Sequence, residues 1–133
     1  MLTIGLLSDT HIPRRLERLP EAVLRALDGA DVILHAGDVD DPAALTPLRS
    51  IAPLYAVRGN RHWHEFSDGG AALPAVIELQ LAHHHIVLTH GYQGGVWNFL
   101  VKGMNVIAQC MRLTDNGYLN RRIVASLTRL YPQ

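Results

Sequence analysis

The sequence predicts an α/β (α+β) fold, organised as one domain over residues 1–133. Three observations predict it. Short apolar runs at residues 2–7, 31–36 and 53–57 show no polar alternation, which suits buried parallel strands. Helix-period stretches lie between them, the pattern of βαβ units with right-handed crossovers and a parallel sheet. Each apolar run also breaks directly into a turn that carries polar, chemistry-bearing residues, where α/β sheets bind their ligands.

The first run, LTIGLL, reads as a central strand covered on both faces and gives way to Ser8-Asp9-Thr10-His11-Ile12-Pro13. A basic connection follows, and Pro20 is placed as the first residue of a helix over residues 20–27. Val23, Leu24 and Leu27 form its inward stripe, and Gly29 ends it. The second strand, residues 31–36, breaks at Gly37-Asp38-Val39-Asp40-Asp41. Asp41 is a candidate helix cap, with Pro42 behind it and Leu45, Leu48 and Ile51 facing inward. The third strand, PLYAV, runs into Arg58-Gly59-Asn60-Arg61-His62. After a loop over residues 63–73, two further strands, 74–81 and 85–89, form a hairpin that ends in His90-Gly91. Residues 96–113 and 119–130 read as helices, the second with Leu119, Ile123, Leu127 and Leu130 on one face.

Composition narrows the partners. Formal net charge is zero, so no sequence-independent hold on nucleic acid or anionic membrane is expected. Cys110 is the only cysteine, which excludes an intrachain disulfide and fits a reducing, cytoplasmic setting. The N-terminus lacks the basic region of a signal peptide, and no apolar run is long enough to span a bilayer.

Histidine is abundant, and its placement matters more than its number. Asp9, His11, Asp38, Asn60 and His90 all fall just after strands, at one edge of the expected sheet. In extended backbone, the spacing of Asp9 and His11 would put both side chains on one side. A local turn is the alternative for this segment. Two carboxylates, two imidazoles and an amide suit a borderline divalent ion such as manganese, iron or zinc, rather than calcium. Two such ions sharing a carboxylate and a water would generate hydroxide near neutral pH and support phosphoester hydrolysis.

Asp9-Thr10-His11, Gly37-Asp38-Val39-Asp40-Asp41, Gly59-Asn60 and Thr89-His90-Gly91 stand in the order found in calcineurin-like metallophosphoesterases. The phrases LLSDTH, VILHAGDVDD and YAVRGN resemble the small prokaryotic phosphodiesterases of that superfamily in particular. The resemblance implies a β-sandwich flanked by helices. It also implies a hydroxide bridging two divalent ions, Mn2+ first, with Fe, Zn, Ni or Mg as alternatives. Asp9 and His11 would bind one ion, Asp38 would bridge both, and Asn60 and His90 would bind the other. The substrate would be a small phosphoester. Arg61 stands where the family often has His or Cys. Arg61 is the candidate for phosphate contact, and His62 or His64 for protonation of the leaving group; a solvated loop is the alternative for this segment.

The family's last motif, Gly-His-x-His, has no counterpart before Gln133. The expectation is a truncated form lacking its closing strands, with weak metal binding, impaired turnover and a tendency to self-associate. A non-catalytic protein-binding scaffold of the same fold, as in the retromer subunit that resembles these enzymes, is the competing reading. Among the remaining residues, His35 is read as a satisfied core histidine or a neighbour of the ligands. His83, His84 and His85 are read as exposed hairpin residues, and Asp40 as a solvated turn residue.

Overall fold

In the computed structural model, β2 (Val32–His35) is the centre of a three-stranded parallel sheet. The structure describes residues 1–59 and 73–91, together with Arg121, Val124, Ala125, Thr128 and Arg129. The chain divides into two units, Met1–Tyr92 and Gln93–Gln133.

In the first unit β2 lies between β1 (Ile4–Leu7) and β3 (Leu54–Ala56), with Leu7 opposite His35 and His35 opposite Ala56. All four residues of β2 are buried, as an unbroken apolar run in a parallel sheet requires. The expectation that the first run is the central strand needs correction. Among the described residues β1 pairs only with β2, and its Leu6 is 67% exposed. An apolar run marks a strand without saying which neighbours it acquires.

Helix α1 (Glu21–Ala26) follows β1, with Pro20 as its N-cap rather than its first helical residue. The ψ of 140° at Pro20 is extended, so the helix starts one position later than expected. Leu27 joins the core on this side of the sheet, and Val23 and Leu24 pack against it. After β2, the expected single helix is split into a 3-10 turn, Pro42–Leu45, and a one-turn helix α2, Thr46–Arg49. Pro47 explains the split, because it has no N–H to give the carbonyl four residues back. Thr46 N–H instead closes a tighter ring onto Ala43 O. Asp41 does cap this segment, accepting from Ala43 N–H at 2.8 Å. Leu45 and Leu48 are fully buried beside Ile33.

The hairpin pairs β4 (Val76–Leu81) with β5 (His84–Thr89) in antiparallel register, Leu81 opposite His84. Its two-residue turn, Ala82-His83, leaves His83, His84 and His85 exposed as expected. Val32, Leu34 and Val57 share a second apolar cluster with Leu88, against which Ile77, Leu79, Leu81 and Ile86 pack. The hairpin therefore covers the face of the parallel sheet opposite α1 and α2. Ile33 and Ala56 point to one cluster and Leu34 and Val57 to the other, the period-two alternation of strands.

In the second unit Arg121, Val124, Ala125, Thr128 and Arg129 are helical and exposed. They lie within the expected helix over residues 119–130, and Thr128 Oγ1 donates to Val124 O at 2.9 Å. The loop over residues 63–72 and the helix expected over 96–113 lie outside the described residues.

Candidate metal centre

Three loops meet where β1, β2 and β5 end. Asp9 and His11 follow β1, Asp38 follows β2 and His90 follows β5. The first two loops are tied together by backbone hydrogen bonds. Asp9 N–H donates to Gly37 O at 2.9 Å, His11 N–H to Asp38 O at 3.0 Å, and Asp41 N–H to Ile12 O at 2.9 Å.

The convergence of Asp9 and His11 does not come from strand alternation. Strand β1 ends at Leu7, and Asp9 and His11 both sit in left-handed backbone, φ 55° and 47°. Asp38 is left-handed too, at 57°. This conformation costs a side-chain-bearing residue roughly 1–3 kcal/mol and concentrates at functional sites. Among the described residues only Ala82 of the hairpin turn shares it outside glycine.

Two glycines make the approach possible. Gly37 has φ +100°, and a Cβ there would lie 2.9 Å from His90 Cβ. A Cβ on Gly59 would overlap the Asp38 carboxylate and its backbone nitrogen. Both positions must stay bare for the β2 loop to sit against its neighbours.

Ligand-type atoms of Asp9, His11 and Asp38 all lie within 4.8 Å of one another. Three carboxylates surround the buried His11 ring: Asp38 Oδ2 at 3.6 Å and Asp9 Oδ1 at 3.9 Å from Nε2, and Asp40 Oδ1 at 3.5 Å from Nδ1. His90 Nε2 stands 3.6 Å from Asp38 Oδ2. Its Nδ1 lies 2.7 Å from Ala36 O, a carbonyl that can only accept, so Nδ1 carries the proton and Nε2 keeps a lone pair. Lone-pair nitrogen and carboxylate oxygen at one point form a donor set fitted to a divalent cation. Asp38 is enclosed while the Asp9 side chain is 53% exposed, which gives the site a buried floor and an open side.

His35 lies beneath this loop cluster and is fully buried. Gly37 N–H donates to its Nδ1 at 3.2 Å, so the ring proton is on Nε2, which faces Thr10 Oγ1 at 3.2 Å. His35 thus holds Thr10, the residue between Asp9 and His11, as a neutral satisfied histidine. Burial lowers its pKa from 6.5 to about 4.

Of the sequence-derived candidates, Asp9, His11, Asp38 and His90 come together. Asn60, Arg61 and His62 lie outside the described residues. Asp40 is the residue that sequence reasoning misplaced. Its side chain is only 8% exposed and faces His11, not solvent. The sequence carries only part of the signal: a candidate ligand histidine needs a partner for its other nitrogen, but the facing turn offers Asp38, Asp40 and Asp41 without ranking them.

Residues 2–118 match the calcineurin-like phosphoesterase superfamily domain. A probable metallophosphoesterase of Methanothermobacter thermautotrophicus is 39% identical over 90 residues, 68% of this chain and 50% of that protein. A probable metallophosphoesterase of Methanocaldococcus jannaschii is 42% identical over 59 residues, 44% of this chain and 31% of that protein. The matched segments thus span half or less of these curated relatives. Vps29 of Chaetomium thermophilum has a TM-score of 0.56 at 23% identity, covering 80% of this chain and 55% of that one. Vacuolar Protein Sorting 29 of Cryptosporidium parvum has a TM-score of 0.54 at 20% identity, covering 77% and 58%. At these identities the likeness to solved structures is one of fold.

Proposed function

This chain belongs to the calcineurin-like phosphoesterase superfamily, and we propose that its function is metal-dependent hydrolysis of phosphate esters. The observation that carries the reading is the cluster of Asp9, His11 and Asp38 ligand atoms within 4.8 Å, with His90 Nε2 beside Asp38. In this proposal Asp9 and His11 would hold one divalent ion, His90 and Asn60 would hold a second, and Asp38 would serve both. A pair of such ions, Mn2+ by preference, supplies Lewis acidity that makes water nucleophilic near neutral pH and offsets phosphate charge. The protein's own groups do the rest. Asp38, enclosed by Gly37 and Gly59, keeps its carboxylate at a fixed point. His90 is set by Ala36 O to present Nε2. Arg61 is assigned to the phosphate and His62 to the leaving-group oxygen. The open side at Asp9 gives the ester its approach.

The test is a Mn2+ titration of the chain followed by hydrolysis of a generic aryl phosphodiester. We expect saturable Mn2+ binding and turnover, both lost in Asp38→Ala. Absence of Mn2+ binding in the parent chain would overturn the proposal. A protein-binding role on this fold is the second reading, favoured by the fold likeness to Vps29, one structure of which is a complex with a cyclic peptide. Metal binding without turnover, together with peptide capture, would favour it.

A further inference from the structure

Asp40 has no part in the ligand set above, yet its carboxylate is more than nine-tenths buried. Burying a carboxylate is costly unless its charge is used. Oδ2 has no hydrogen-bond partner among the described residues; the nearest cation, Arg14 Nε, is 4.0 Å away on a side chain that is 64% exposed. At that distance, with the guanidinium side largely in solvent, Arg14 offsets little of the cost of burying Asp40. Oδ1 is the atom with a defined target, 3.5 Å from His11 Nδ1.

The backbone fixes this pairing. His11 N–H bonds Asp38 O, and Asp41 N–H bonds Ile12 O, so Asp40 is clamped against His11 from both sides. One turn therefore delivers both Asp38, which faces His11 Nε2, and Asp40, which faces His11 Nδ1. A neutral imidazole has one N–H. Either tautomer leaves one ring nitrogen facing carboxylate with no proton between them, so distance decides: Asp40 Oδ1 at 3.5 Å from Nδ1 is the one contact of the three within hydrogen-bond reach, whereas Asp38 Oδ2 and Asp9 Oδ1 lie 3.6 and 3.9 Å from Nε2. With the proton on Nδ1, it is donated to Asp40, and the Nε2 lone pair points at the gap between Asp9 and Asp38.

We propose that Asp40 is a positioning residue: it accepts the Nδ1–H of His11 and so locks the ring with Nε2 directed into the Asp9–Asp38 gap as a cation ligand. The orientation of the ring stands on this chain's geometry alone, and its use as a ligand rests on the metal reading above. A charged acceptor at Nδ1 also strengthens Nε2 as a lone-pair donor.

Two measurements test this. The first is the imidazole 15N–1H long-range spectrum of histidine-labelled, metal-free protein under mildly alkaline conditions. It should show His11 as the Nδ1–H tautomer, the reverse of the form free histidine prefers. Asp40→Ala should shift His11 toward Nε2–H, and Asp40→Asn, which retains an acceptor oxygen, should preserve Nδ1–H. The second is the Mn2+ dissociation constant from the free-ion electron paramagnetic resonance signal. It should rise about 10- to 100-fold in Asp40→Ala and less in Asp40→Asn. If His11 is Nε2–H in the parent chain, or if Asp40→Ala changes neither tautomer nor affinity, the proposal falls. Should Asp40→Ala fail to fold, the parent tautomer and Asp40→Asn decide. An Asp40-dependent Nδ1–H tautomer without Mn2+ binding would overturn the metal reading and keep the orienting role. Mn2+ binding indifferent to Asp40 would do the reverse.

Discussion

Acid should weaken this fold through one particular histidine. His35 is fully buried at the end of β2, with Nδ1 accepting from Gly37 N–H. A second ring proton would have to sit on Nδ1, where it would meet that N–H head-on. Burial holds the folded-state pKa at about 4, against 6.5 for the unfolded chain. Between those values the unfolded chain binds a proton that the folded chain refuses, so stability falls as pH falls. The contribution is whole above about pH 6.5, shrinks through the window and levels off below about pH 4. A shift of about 2.5 units at roughly 1.4 kcal/mol each gives about 3 kcal/mol. That is a large part of the 5–15 kcal/mol typical of a domain's total stability.

The assay is urea unfolding of the metal-free protein across this pH range, parent chain against His35→Asn. Asparagine offers Gly37 an acceptor but does not titrate, and the other titrating groups act equally in both chains. The two stability curves should differ in slope, with their separation changing by about 3 kcal/mol across the window. Parallel curves, or an NMR titration of His35 near its ordinary value, would refute the reasoning.

Two further perturbations probe packing at and away from the centre. Gly59→Ala introduces a Cβ into the space of the Asp38 carboxylate; it should cost about 1–3 kcal/mol and weaken Mn2+ binding, read by urea midpoint and titration. Leu48→Ala empties a fully buried position in α2 and should cost about 2–5 kcal/mol with the Asp9–Asp38 cluster left in place. A loss below about 1 kcal/mol would contradict the burial of Leu48.

The positions of the strands along the chain and the grouping of the candidate ligands at strand ends were legible in the residues because buried parallel strands declare themselves as unbroken apolar runs. VILH is the clearest case, and Asp38 after it was placed correctly on that ground alone. The cap at Asp41 was legible for a local reason, since its carboxylate needs only the amide two residues ahead. What escaped depended on non-local neighbours or on uncommon backbone. Nothing in LTIGLL says that β1 gains only one strand partner among the described residues. The left-handed backbone at Asp9, His11 and Asp38 is imposed by the facing loop, so the alternation argument reached the right pairing by the wrong route. Asp40 was misread because a charged residue next to a cap is ordinarily solvated. The split at Pro47 has a purely local cause, since proline has no N–H for the carbonyl four residues back.

The cross-bonding of the β1 and β2 turns limits how this chain can drift. Amides at positions 9, 11 and 41 reach carbonyls at 37, 38 and 12, so each turn measures the other's length. Adding or removing one residue between the bonded positions of either turn would put these pairs out of step with one another. A change in residue count in one turn would therefore need a compensating change in the other.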